Sequence, residues 1–258
     1  MSAVGRLALL LLAWAGLAAP AFAQREPVLV PEVSQSRIEV RQGFTGARLL
    51  LYGAVIDPEG PGRGADYDIV VVLKGPTEPI RIREKSRIAG IWMNAQSSDF
   101  RSAPSFFAVA SSRPVREIVD ERTAAIYELG TDFIQLSPSG AIDPEEQARF
   151  AQGLVELRRR QGLYQENPGA VRISEKVLYQ VRIDLPSNVT TGRYTAETFA
   201  VSRGRVVASA TARIEVVKAG LEGQVVTASQ RFSFFYGLGA IALSLGMGWV
   251  AGRLFARG

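Results

Sequence analysis

Residues 179–194 read YQVRIDLPSNVTTGRY, in which a strand, a polar turn and the start of a second strand follow one another. Apolar side chains alternate with polar ones as far as Leu185, and this period of two predicts a strand with one buried face. The strand ends in Leu185-Pro186, and Gly192-Arg193-Tyr194 opens the next strand. The segment therefore predicts two neighbouring strands joined by a corner.

Such a corner is typical of the late strands of immunoglobulin-like sandwiches, in which a tyrosine tethers the connection. A further alternation between Val206 and Val216 predicts the last strand, with Arg203-Gly204 as the hairpin turn before it. Upstream, strand-like runs lie at residues 48–56, 69–73 and 80–83. We therefore predict a mainly β domain over residues 24–231, an immunoglobulin-like antiparallel sandwich of about seven or eight strands.

A change of periodicity in the middle of the chain predicts a helical insertion at about residues 113–168. Apolar residues recur at helical spacing from Pro114 to Leu129, with proline near the first helical position. A second helix is predicted from Pro144 to about Gln161, because Asp143 can cap it and Glu146 completes a capping box.

The two ends of the chain carry membrane-targeting patterns. Residues 1–23 resemble a secretory signal with a small-residue cleavage site at Ala21 and Ala23. Residues 232–252 contain no charge and are long enough to cross the bilayer, which predicts a transmembrane helix. Residues 253–258 form a short cytoplasmic tail in this interpretation. We expect a single-pass protein of the bacterial inner membrane with its N-terminal domain in the periplasm.

Small residues form a row along one face of the predicted membrane helix. Ala240, Ser244, Gly248 and Gly252 recur every fourth position, so another helix could approach closely there. The expected partners are the lipid bilayer and, through this row, either a second copy of the chain or another inner-membrane protein. A lipid-facing row without a packing function is the alternative.

Composition excludes several kinds of chemistry. The chain contains no histidine and no cysteine, which removes zinc fingers, histidine-based triads, thiol nucleophiles and disulfides. Of 30 basic residues, Arg6, Arg253 and Arg257 lie in the ends, so residues 24–231 carry 27 bases against 25 acids, a net charge of +2. That charge is too small to favour nucleic acid. We predict no enzyme activity, catalytic residue, cofactor or metal.

Two groups of residues are candidates for a ligand or partner surface. Trp92 and Asn94 lie two positions apart, hence on one strand face, where a ring could be stacked and an amide could bind. We favour a core tryptophan over such a platform. Arg158, Arg159 and Arg160 occupy the last turn of the second helix, where cations complement the helix dipole. Membrane headgroups or an acidic partner are the functional alternative.

Several stretches carry a resemblance to a known family. These stretches are residues 44–47 with 51–54, 68–76, 90–94 and 104–114, and the likeness extends over nearly the whole mature chain. The sequence resembles an uncharacterised alphaproteobacterial family of transmembrane proteins. Membership implies an exported protein with a membrane anchor and brings no activity with it.

These observations together favour a non-enzymatic membrane protein. We expect an accessory, scaffold or assembly subunit of a membrane complex, such as a transport complex. The alternative is a periplasmic domain that binds or senses a small molecule or glycan, with the helix serving only as its anchor.

Overall fold

The computed structural model describes residues 27–57, 66–140, 143–219 and 233–255. Most of the described residues lie in strands. Ten of the strands form two larger sheets, and three form a smaller one. The predicted signal segment, with Ala21 and Ala23, lies outside the described residues, as do positions 256–258 of the predicted tail.

The first sheet has four strands in the order β1-β3-β11-β10, all antiparallel. Its strands are β1 (Val28–Val33), β3 (Gly46–Ile56), β10 (Arg172–Ser174) and β11 (Leu178–Pro186). The alternating segment 179–185 is the interior strand β11, and Tyr179, Val181, Ile183 and Leu185 are all buried. The period of two therefore predicted the buried face of this strand correctly.

The second sheet has six strands in the order β2-β13-β12-β4-β7-β9. Its strands are β2 (Arg37–Val40), β4 (Asp68–Lys74), β7 (Phe107–Ser111), β9 (Tyr164–Pro168), β12 (Gly192–Ser202) and β13 (Arg205–Lys218). Strand β4 lies in its interior, and Ile69 to Leu73 are fully buried. The β12–β13 turn falls at Arg203-Gly204, as predicted, with both φ angles positive at 50° and 77°.

The antiparallel prediction is wrong for two edge pairs of the second sheet. Strand β2 pairs in parallel with β13, and β9 pairs in parallel with β7. A parallel pair requires a crossover connection, and the helical segment between residues 112 and 163 supplies it for β7 and β9. The predicted insertion therefore ends in a strand of the sandwich itself.

The helical segment contains more breaks than its periodicity predicted. The single helix expected from Pro114 to Leu129 is divided into α1 (Val115–Ile118) and α2 (Glu121–Ile126). The break occurs because Val119 is extended and Asp120 caps a new helix by accepting a hydrogen bond from the Thr123 amide at 3.0 Å. A 3₁₀ turn follows at Thr131–Phe133.

Helix α3 (Pro144–Arg160) matches the bounds and the cap that were predicted, but among the described residues Glu146 faces Arg149 and does not complete the predicted capping box. Asp143 caps it by accepting from the Glu145 amide at 2.9 Å, and Pro144 takes the first position. Gly162 follows the helix with a positive φ of 71°, a conformation that glycine adopts without strain.

One hydrophobic core lies between the two larger sheets. It contains Leu49, Leu51 and Ile183 from the first sheet and the interior of β4 and β12 from the second. Tyr194 is buried at the start of β12 and donates a hydrogen bond to the Thr190 carbonyl at 2.8 Å. This bond is the tether that the corner sequence predicted.

The third sheet stands apart from that core. It consists of β5 (Thr77–Ile88), β6 (Ile91–Pro104) and the two-residue β8 (Ser137–Pro138). A separate cluster holds it to α3, built from Phe100, Ala103, Phe150 and Leu154. The thirteen strands of the described residues exceed the predicted seven or eight, chiefly because of this sheet and the short edge strands.

Candidate functional site

Strands β5 and β6 form a long antiparallel hairpin, here called the arm. Its base is packed, since Ser98 and Phe100 are buried beside α3. Arg158 steadies the base by donating to Glu78 at 2.6 Å, and Arg81 makes two hydrogen bonds to Asp99, at 2.5 and 2.8 Å. Beyond Glu84 and Gln96 the side chains of both strands are almost all exposed. The outer half of the arm therefore projects as a two-stranded ribbon.

The tip of the arm, residues 85–94, combines apolar and basic side chains. Its turn uses positive φ angles at Ala89 and Gly90, 50° and 85°, as a tight hairpin requires. Four large apolar side chains around this turn are exposed: Ile88, Ile91, Trp92 and Met93. Lys85 and Arg87 are the charged residues of the tip. A cluster of this kind marks a place where another molecule binds.

The favoured core position for Trp92 is wrong. The side chain is 68% exposed, and Asn94 is exposed two positions further along the strand. The strand-like pattern on both sides of Gly90 was correct, but the hairpin extends past the body of the protein, so neither of its faces meets a core. The exposed position agrees with the alternative interpretation of Trp92 and Asn94 as a binding surface.

The three arginines of α3 have separate environments. Arg158 is only 15% exposed and pairs with Glu78 at the base of the arm, whereas Arg160 pairs with Glu156 one helical turn away at 2.8 Å. Glu78 and Arg87 lie nine positions apart on β5, a distance of roughly 30 Å along the strand. Arg87 is paired with Trp92 of β6. The structure therefore does not bring Arg158 to the tip, and these two arginines support the helix and the arm.

Arg159 belongs to a polar cluster on the other side of α3. Thr131 is fully buried, and its amide donates to Glu166 Oε1 at 2.6 Å while its hydroxyl contacts the same oxygen. Arg159 donates to the Thr131 hydroxyl and lies 3.4 Å from Glu166 and 3.6 Å from Asp132. The cluster joins α3, the 3₁₀ turn and β9, so Glu166 is occupied by structural hydrogen bonds.

A cleft of about 570 Å³ opens beside this cluster, between the short helices and edge strand β9. Its apolar lining includes Val109, Val115, Val119, Ala124, Leu129 and Phe133. Its polar rim includes Arg116, Asp120, Glu121, Asp132 and Glu166. A mostly apolar cavity with a few polar groups is suited to binding a small molecule.

The half-buried lysine Lys74 is held as a cation. Burial lowers its pKa, but hydrogen bonds and charge interactions with Glu128 and Glu197 outweigh burial, so the pKa of Lys74 is raised overall. Its ammonium lies 2.5 Å from Glu128 and 3.1 Å from Glu197. A lysine nucleophile or base must lose its proton, so this arrangement suits an ion-pair link between β4, β12 and the helical segment.

Sequence reasoning missed Thr131 and Glu166. Neither belongs to a motif, and their contact joins residues that are distant in sequence. The local signal nearby was the helix stop at Gly162, which predicts where α3 ends but not that residues 164–168 form a strand of the second sheet. In the part of the chain that the structure describes, no group of acidic side chains is arranged to hold a metal ion.

The C-terminal helix α4 (Ser233–Phe255) contains residues 233–252 of the predicted span 232–252, and position 232 lies outside the described residues. Ala240, Ser244, Gly248 and Gly252 lie along one row of this helix, and a Cβ atom at Gly248 or Gly252 would meet nothing within 4 Å. Across the described ranges, none of the helices has both the length and the apolar character that a membrane crossing requires.

One comparison with known proteins gives a match. The profile of a family described as "Putative transmembrane protein" matches residues 28–257, which includes both larger sheets, the arm and α4. None of the curated proteins matches the chain.

Proposed function

The chain belongs to the family described as "Putative transmembrane protein", and from that premise we propose that it is a non-enzymatic accessory, scaffold or assembly subunit of a membrane complex, such as a transport complex. In this proposal residues 1–23 are a secretory signal and residues 232–252 cross the bacterial inner membrane once. The N-terminal domain then lies in the periplasm, and its sandwich is of the immunoglobulin-like kind. The Tyr194–Thr190 hydrogen bond supports that last assignment.

The observation that carries the proposal is the exposure of large apolar side chains along α4. The exposed residues include Leu238, Ile241, Leu243, Leu245, Met247 and Trp249. Burying each of them is worth about 1.5–3 kcal/mol, so lipid or a partner that covers these side chains would be stabilising. Arg253 lies 5.4 Å from the Trp249 ring, and tryptophan with a cation at a helix end is typical of a membrane interface.

The test is crosslinking of the full chain in native membranes, followed by purification in mild detergent. We expect crosslinked species that contain a second copy of the chain or another inner-membrane protein. Gly248→Leu with Gly252→Leu should reduce them at least severalfold, because two leucines would separate helices that approach along the small-residue row.

Gly246→Leu is the matched control, since Gly246 lies off that row and a Cβ there also meets nothing within 4 Å. It should leave crosslinking unchanged. Recovery of the chain alone under every condition would count against the accessory role. Equal loss in the control would count against the row as the contact.

The cleft favours a second candidate function, the binding or sensing of a small molecule or glycan by the periplasmic domain. The test is a thermal-shift screen of the purified full chain with small apolar acids and sugars. A ligand at one hundred times its Kd should stabilise the protein by about 2.7 kcal/mol. The shift should disappear in Ala124→Trp, which fills the cleft, and persist in Trp92→Ala; a shift lost only in Trp92→Ala would place the ligand elsewhere.

A further inference from the structure

We propose that the tip of the arm inserts into an anionic lipid surface. The inference goes beyond the accessory role, but it rests on the membrane anchor contained in that proposed function. In this inference, lipid covers the exposed cluster formed by Ile88, Ile91, Trp92 and Met93.

The chemistry of the tip fits the boundary between water and lipid. Tryptophan prefers the headgroup level of a bilayer, where its ring is half apolar and its N–H can find a partner. Trp92 is 68% and Ile91 67% exposed, and residues 85–94 carry the cations Lys85 and Arg87 and no acid. Cations flanking an apolar tip would contact lipid phosphates while the apolar side chains enter the acyl boundary.

The nearest acids do not oppose this contact. Glu84 lies 3.4 Å from Arg149 of α3, and Asp99 makes a two-bond pair with Arg81. The pKa of Asp99 is lowered, first by the hydrogen bond from Arg81, so this carboxylate remains ionised within its pair. The charge that the outer arm presents is therefore positive.

The shape of the tip favours lipid over a protein partner. The apolar cluster consists of four side chains on a narrow ribbon whose two faces are both exposed. A stable protein interface engages roughly 20–30 residues on each side. A fluid lipid surface can instead surround a convex ribbon and cover both faces together.

The topology places the start of the arm at the end of the second sheet where β13 also ends. Pairing of Thr195 with Lys74 and of Gly192 with Val216 puts the ends of β4 and β13 at the same end of the second sheet. The arm begins at Thr77, just after β4, and a Cβ at Gly192 would lie only 2.9 Å from Pro76. Strand β13, the last strand before α4, therefore ends at the end of the domain from which the arm starts.

The experiment uses the full chain with single tryptophans. In one protein Trp14 and Trp249 are replaced by phenylalanine, so Trp92 reports on the arm. In its companion Trp14 and Trp92 are replaced, so Trp249 reports on the helix. Both are reconstituted with vesicles of phosphatidylcholine, with or without phosphatidylglycerol, that contain brominated lipid as a quencher. We expect quenching and a blue shift of Trp92 emission in the anionic vesicles.

Lys85→Glu with Arg87→Glu should abolish that quenching, because removing two cations from an anionic surface alone lowers partition roughly 25-fold. The matched control is Arg203→Glu with Arg205→Glu, two exposed arginines at the opposite end of the second sheet, which should leave the signal unchanged. Thermal unfolding should be the same in all variants, since these positions are exposed.

Two results would overturn the inference: Trp92 emission that anionic lipid does not quench, or quenching that is the same with neutral lipid and with the reversed charges. If the proposed membrane anchor is wrong, the result differs, because brominated lipid would then not quench the emission of Trp249. Quenching of Trp249 without Trp92 would leave the anchor in place and reject the lipid-binding tip alone.

Discussion

Replacing Gly53 with alanine is expected to lower the stability of the protein by about 1–3 kcal/mol, at the upper end of that range. A Cβ atom at this position would lie 2.3 Å from the Val30 carbonyl oxygen and 2.5 Å from the Tyr179 hydroxyl. The clash with Val30 is with backbone of the paired strand β1, and the Tyr179 ring is buried opposite Gly53 on β11. Neither neighbour can move without disturbing the first sheet.

The measurement is thermal unfolding of the full chain in mild detergent, where about 2–4 °C corresponds to 1 kcal/mol for a domain of this size. The same substitution at Gly153 is the matched control. Gly153 lies within α3 with nothing near its Cβ position, so alanine should raise the unfolding free energy by up to about 1 kcal/mol through helix propensity, and the midpoint should rise with it. Two changes of the same sign would contradict this account of Gly53.

The second large effect is expected at the corner tyrosine. Tyr194→Phe should cost about 1–2 kcal/mol, because the Thr190 carbonyl loses its 2.8 Å hydrogen bond while the buried ring keeps its packing. Tyr52→Phe is the control, since Tyr52 is exposed on β3, and it should change stability by less than about 0.5 kcal/mol.

This substitution should also change the response to alkaline pH. Burial raises the pKa of Tyr194 to about 12, above its value of roughly 10 in an unfolded chain. The raised pKa means that folding favours the neutral phenol. Its contribution is therefore fully present below about pH 10 and is lost as the pH rises through about 12.

The difference in unfolding free energy between wild type and Tyr194→Phe should consequently shrink above about pH 10. Denaturant unfolding at a series of pH values measures it. Tyr164 and Tyr179 are also buried with raised pKa values, but both proteins contain them, so their contributions cancel in the comparison. A difference that stays constant from pH 8 to 12 would contradict the assignment.

Local patterns predicted the elements that have one buried face. The alternation in β11 and β13, the turn at Arg203-Gly204 and the cap at Asp143 all depend on neighbours in sequence, and each was found where it was expected. The hydrogen bond of Tyr194 joins residues only four positions apart, so it could also be predicted from local sequence.

Features that depend on pairing between distant segments could not be predicted from local sequence patterns. Nothing near Tyr164 indicates that its strand pairs in parallel with β7, which lies before the whole helical segment. The sequence around Trp92 has the pattern of a sandwich strand, and its exposure follows from where the arm lies relative to the core. The cleft joins residues 109 to 168 and could not be assembled from any local motif.

The strand order of the second sheet has a consequence for how the protein is made. Strand β4, whose residues Ile69 to Leu73 are fully buried, lies between β7 and β12. Because β12 lies more than a hundred residues further along the chain, one edge of β4 has no partner until β12 has been made. Pairings this distant are slow to form, and an open apolar edge invites association with other chains while it waits. The sheet closes only after β12 and β13 have been synthesised, shortly before α4 follows in the chain. The arm and the helical segment are synthesised earlier. The second sheet can therefore be completed only shortly before the last helix is synthesised.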